Sequence, residues 1–153
     1  MWHLKSFVVI LLVKIFCTSA LAFTAQSKID FKRVKATIGS KKITIELAET
    51  DAQHEHGLMY RKKLGASEGM LFIFQNEDIR TFWMKNTEIN LSIAYLDKNR
   101  KIVDIQEMKT LSSVMEQPKT YPSKSSAMYA LEMPEGWFNK NKIKEGAQLQ
   151  YGP

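Results

Sequence analysis

VKATIGSKKITIEL, Val34 to Leu47, is the stretch on which the fold turns. Val34, Ala36 and Ile38 are apolar at every second position, and so are Ile43, Ile45 and Leu47. Side chains alternate across a strand, so each half presents one apolar face. Gly39-Ser40 sits between the halves and supplies the turn of a β-hairpin.

Further along the chain the same kind of pattern recurs. Thr50 or Asp51 caps a helix running towards Lys63, with an acidic start and with Leu58 and Met59 as apolar positions; Gly57 shortens or bends it. Gly69 to Phe74 (GMLFIF) is a continuous apolar run bounded by Asn76-Glu77-Asp78, which is the signature of a buried strand. Thr81 to Lys85 is a short strand, and Leu91 to Leu96 and Ile102 to Met108 are strands around a charged turn. Thr110 to Lys124, with Pro118, Pro122 and many hydroxyls, reads as a long surface loop. Ala127 to Met133 is a strand, Pro134 opens a short helix through Trp137 and Phe138, and Gly146 to Tyr151 is a last strand. About eight short strands with one or two short helices predict a mainly β single domain, either a β-sandwich or a partly closed barrel.

The N-terminus is of a different kind. Met1 to Lys5 is short and basic, and Ser6 to Phe16 (SFVVILLVKIF) is apolar apart from Lys14. Thr18-Ser19-Ala20-Leu21-Ala22 then places Ala at −3 and −1 of a cut before Phe23. These are the parts of a secretion signal over residues 1–22. The rival reading is an uncleaved anchor, but the run is short of the roughly 20 apolar residues that span a bilayer and carries Lys14 inside it. Residues 23–32 form a polar lead-in, and 33–153 form the domain. The expected location is therefore periplasmic or secreted.

Cleavage would remove Cys17, the single cysteine, and with Lys5 and Lys14 would lower the net charge from +6 to +4. The remaining domain then has no thiol chemistry and no disulfide, and must be held by its core. A mild positive excess with scattered lysines is not a nucleic-acid reader, and no such motif occurs. Phosphate-loop, dinucleotide and GxSxG nucleophile patterns are absent, so no cofactor is expected.

GLMYR (57–61), GMLFIF (69–74), FWMKNT (82–87) and YALEMPEGW (129–137) occur in this order. Together they resemble the domain-of-unknown-function family 192 (DUF192), over a span from about Ile43 to Tyr151. The resemblance implies a compact, mainly β fold, often behind an export signal, and no particular activity. The chain departs from the family pattern at Ile89-Asn90-Leu91-Ser92, where the family has Ile-Pro-Leu-Asp, and at Gly146-Ala147, where it has Gly-Asp. Any mechanism relying on those acids is in doubt for this chain.

Within FWMKNT, Trp83 beside Lys85 could wall a flat ligand, with core and edge packing as the plainer reading, and Asn86 could tie backbone groups in a turn. Arg61 could snorkel or hold a carboxylate. Glu132, between Leu131 and Met133, faces outward or into a cleft, and an Arg61–Glu132 ion pair is one expectation. Tyr121 lies in the hydroxyl-rich loop. His54-Glu55-His56 is read as a solvated helix face, because i and i+2 diverge on a helix and no HExxH spacing exists. Met59, Met70 and Met84 read as core fillers. No metal site is expected. The leading expectation is an exported, non-catalytic module that binds a small ligand, an envelope polymer or a protein through Arg61, Trp83, Lys85, Asn86, Tyr121 and Glu132. A small hydrolase or lyase using Glu132 and Arg61 is the alternative, and a metal handler using His54, His56 and methionines a third.

Overall fold

The structure, a computed structural model, describes residues 29–113 and 115–152. The segment read as a secretion signal lies outside them. β1 (Lys32–Ile38) and β2 (Lys41–Ala48) form the expected hairpin, with Ile38 opposite Lys41 and Lys32 opposite Leu47. Gly39 turns the chain at φ +56°, a conformation that costs glycine little.

Thr50 caps α1 (Asp51–His56) through a capping box. Its hydroxyl accepts the Gln53 N–H at 3.3 Å, and the Gln53 side-chain carbonyl accepts the Thr50 N–H at 3.1 Å. Gly57 ends the helix at φ +48°, ψ −131°, so the helix is one short piece and does not run to Lys63. The chain then enters β3 (Glu68–Asp78), which lies parallel to β2, making β2–α1–β3 a crossover.

β4 (Thr81–Trp83) pairs with β7 (Thr120–Pro122) in a separate two-stranded sheet. β5 (Leu91–Leu96), β6 (Ile102–Met108), β8 (Ala127–Pro134) and β9 (Leu149–Tyr151) complete the main sheet, whose order is β6-β5-β8-β3-β2-β1-β9. It curls into a half-barrel. α2 (Trp137–Lys140) starts after Gly136 instead of at Pro134, which closes β8. The loop read between Thr110 and Lys124 is not wholly superficial, because β7 lies within it and Tyr121 and Ser123 are buried.

Alternation sorts the sheet's side chains onto two faces. One face carries Ile38, Ile45, Leu71, Leu96 and Leu131, sealed by Trp137 and Phe138 of α2. The other carries Met70, Phe72, Ile93, Tyr95 and Ala130 and is covered by Leu58, Met84 and, from the β4–β7 ribbon, Phe82 and Tyr121. Each fully buried Leu or Ile contributes about 1.5–3 kcal/mol, so both faces are strongly held. Gly69 lets β8 approach β3 closely, since a Cβ there would lie 2.4 Å from the Glu132 carbonyl oxygen. No helix among the described residues is long and apolar enough to cross a membrane.

Candidate functional site

Glu132 has the strand parity of Ala130, so its side chain joins the second face and lies away from Leu131 and Met133. The sheet register sets a row across five strands: Glu46 opposite Met70, Met70 opposite Glu132, Glu132 opposite Ile93, and Ile93 opposite Gln106. Met70 and Ile93 are fully buried, and they put the carboxyl in an apolar setting. Glu132 is 5% exposed, and it makes no hydrogen bond or ion pair among the described residues. Burial pushes its pKa up to about 8, while the charge of Arg61 pulls the other way. At neutral pH the group is therefore mainly the uncharged acid. The nearby Tyr95 hydroxyl is raised as well, by burial first and by the Glu132 charge second.

Glu132 opens on a cleft of about 300 Å³. Its walls are aromatic: Phe72 and Phe82 meet edge to face at 4.8 Å, and the His54 ring lies 4.7 Å from that of Phe74. Trp83, 47% exposed, and Ile79 stand among the residues around it. Arg80 packs its guanidinium 4.1 Å from the Phe74 ring centre and donates to the carbonyls of Asn76 and Ala127.

The four strings GLMYR, GMLFIF, FWMKNT and YALEMPEGW all contribute to this one cleft. Gly57, Leu58 and Met59 come from the first, Phe72 and Phe74 from the second, Phe82, Trp83 and Thr87 from the third, and Glu132 from the fourth. GLMYR and FWMKNT are also tied directly. The Asn86 carbonyl accepts the Tyr60 N–H at 2.8 Å, and its amide donates to the Tyr60 hydroxyl at 2.9 Å. Asn86 holds a left-handed φ of +53°, which asparagine tolerates better than most residues.

Of the residues singled out in the sequence, Trp83 and Glu132 line the cleft together. Lys85 stands over the Trp83 ring at 5.1 Å. Asn86 braces the rim from outside. Tyr121 belongs to the β7 strand of the ribbon and is buried, its hydroxyl accepting the Lys109 N–H at 3.1 Å and its carbonyl accepting from Tyr95. The expected Arg61–Glu132 ion pair does not form: Arg61 pairs with Glu46, two strands away from Glu132 along the row. The reason is position, because the short α1 returns the chain over β2 and sets Arg61 beside the partly exposed Glu46.

The solvated helix face expected for His54 and His56 is also corrected. Both are half-buried and both line the cleft, and His54 Nε2 donates to the Ala48 carbonyl at 3.0 Å. His56 is the last helical residue, so its direction is set by the exit at Gly57 as much as by helical geometry. Met70 and Met84 belong to the core. Among the described residues no group of three His, Cys, Asp or Glu side chains is placed to hold a metal. Phe72, Phe74, Phe82 and Arg80 were not legible as site residues, since each reads in the sequence as a core or surface residue. A larger depression of about 710 Å³ lies over β1 and β9, but among the described residues no buried ionisable group faces it.

Fold and site define a small mixed-sheet domain with a ligand-sized, aromatic-walled cleft on one sheet face. The chain belongs to the DUF192 family, described as uncharacterized ACR, whose profile matches residues 34–151. Two crystal structures are similar to it. A provisionally assigned transcription regulator from Sinorhizobium meliloti 1021 shares 26% identity at a TM-score of 0.74, covering 81% of this chain and 97% of that one. A protein of unknown function from Novosphingobium aromaticivorans DSM 12444 shares 30% identity at a TM-score of 0.65, covering 82% of this chain and 89% of that one. Comparison with curated proteins gives no match.

Proposed function

We propose that this chain is an exported module that binds a small ligand in the cleft over Glu132. One observation carries the reading: a buried carboxyl without a partner faces an aromatic cleft that all four characteristic strings help to build. The carboxyl oxygens have no partner among the described residues and open on the cleft, so a ligand entering there meets a hydrogen-bonding group that no side chain has already taken. Ligand sites commonly combine apolar walls with a few convergent polar groups. Export rests on the pattern of residues 1–22 and is tested by N-terminal sequencing of the protein from the cell envelope, where the expected first residue is Phe23.

The regulatory role in the description of the Sinorhizobium protein is not transferred. An uncharged carboxyl among aromatic walls gives a phosphate backbone nothing to neutralise. The enzymatic alternative has one observation in its favour, the raised pKa of Glu132, which suits a proton donor near neutral pH. Arg61, its expected partner, is held by Glu46.

The test is a thermal-shift screen of the full chain against a small-molecule library, followed by NMR of the Trp83 indole. A ligand of the cleft raises the melting temperature in line with RT ln(1 + [L]/Kd) and moves the Trp83 signal. Ligands that stabilise the chain but leave Trp83 unmoved, and act instead over β1 and β9, would overturn the assignment of the site.

A further inference from the structure

We propose that the cleft selects an uncharged, flat ligand that presents a hydrogen-bond donor and acceptor side by side, as an amide edge does, to the buried carboxyl of Glu132. This rests on the binding reading above and names the chemical class of the ligand.

The charged and titratable groups around Glu132 are His54, Glu55, His56 and Arg80 in the cleft lining, with Arg61 and Lys85 beside it, and the two guanidinium groups are already engaged. Arg61 is paired with Glu46, and Arg80 lies over Phe74 and donates to two backbone carbonyls. An anionic ligand would therefore enter an apolar cleft without a free guanidinium to receive it, and would lose its hydration uncompensated. A cationic ligand meets the opposite difficulty. The Phe74 ring already carries Arg80 and the Trp83 ring already carries Lys85, so two of the aromatic surfaces have their cation. A further positive charge would be set beside both.

The floor points the same way. Glu132 sits between Met70 and Ile93 with no positive charge in contact, a setting that favours the neutral acid. A carboxylic acid offers one O–H donor and one carbonyl acceptor on a single edge. Its complement is an acceptor and a donor on one edge, which a primary amide or a lactam supplies. Phe82, Trp83 and His54 give the flat surfaces against which such a group's ring can lie.

Three probes of one shape test the class: benzamide, benzamidinium and benzoate. Each is titrated into the full chain while the Trp83 indole resonance is followed, with Trp83→Phe used to assign it. Benzamide is expected to bind best of the three. Its affinity should fall about tenfold between pH 7 and pH 9, because only the protonated carboxyl, with its pKa of about 8, can donate. Glu132→Gln keeps a donor and an acceptor on one edge, and should bind benzamide with no pH dependence over that range. Stronger binding of benzamidinium or benzoate at Trp83, or a benzamide affinity that stays flat or rises with pH in the unaltered chain, overturns the ligand class and leaves the binding reading standing. If none of the three moves Trp83, the class is overturned; a screen that also yields no ligand at Trp83 removes the binding reading with it.

Discussion

Replacing Glu132 by Gln should make the protein more stable, and by an amount that grows with pH. The carboxyl has an ordinary pKa of 4.5 and is pushed up to about 8 in the folded chain. The folded state therefore keeps a proton that the unfolded state has released. Stability supplied by this proton is fully present below pH 4.5, declines as pH rises, and is lost once pH passes about 8. With one pKa unit worth about 1.4 kcal/mol, the loss is about 1 kcal/mol at pH 5, about 3 at pH 7 and about 5 at pH 9. Glutamine has nearly the same shape and no proton to lose, so the variant escapes the penalty. Urea denaturation of both proteins at the three pH values, followed through the buried Trp137, gives the difference directly. Groups that titrate alike in both proteins cancel. A stability gap that does not widen between pH 5 and pH 9 refutes the account of Glu132 as an unpartnered, neutral acid.

Two further substitutions probe the surroundings of the site. Arg61→Gln removes the charge that opposes burial, so the Glu132 pKa should rise further above 8 in a carbon-13 carboxyl titration; an unchanged value would show that the charge of Arg61 does not reach Glu132. The same change leaves the half-buried Glu46 without its partner and should cost about 1–3 kcal/mol. Asp104 is fully buried in β6, where burial pushes its pKa up but hydrogen bonds from Gln106 and Lys124 outweigh it, so the group ends below its ordinary 3.8. Its contribution is thus present above pH 3.8 and is lost as pH falls through the lower folded value. Asp104→Asn should destabilise the chain by about 1–3 kcal/mol at neutral pH and progressively less in acid, with lost hydrogen-exchange protection in β7; an equal cost at all pH values would contradict the role of its charge.

How far the sequence discloses this molecule depends on how local each feature is. The β1–β2 hairpin was legible because Val34, Ala36 and Ile38 alternate against Ile43, Ile45 and Leu47 around a Gly-Ser turn. The parallel pairing of β2 with β3 was not, because alternation is the same whichever way a neighbour runs. β3 continues to Asp78, beyond the apolar run, since Gln75 to Asp78 lie exposed and carry no apolar signal. In the site, Trp83 and Glu132 could be singled out because each is out of place locally, an aromatic beside a charge and an acid among apolar neighbours. His54, Phe74 and Arg80 could not, because their role comes from a meeting of α1, β3 and β4 that no short window of sequence contains.

The position of β8 has a consequence for how the chain is made. β8 lies between β3 and β5, so it joins the half of the sheet built by residue 78 to the β5–β6 hairpin. Neither half has its inner neighbour until Pro134 has been synthesised. At about 5–20 residues per second a ribosome leaves these two strand edges uncovered for several seconds. The last strand, β9, then docks on the first. The nascent chain thus stays open until most of it exists, and the bare edges of β3 and β5 are the surfaces that a chaperone would have to shield in the meantime.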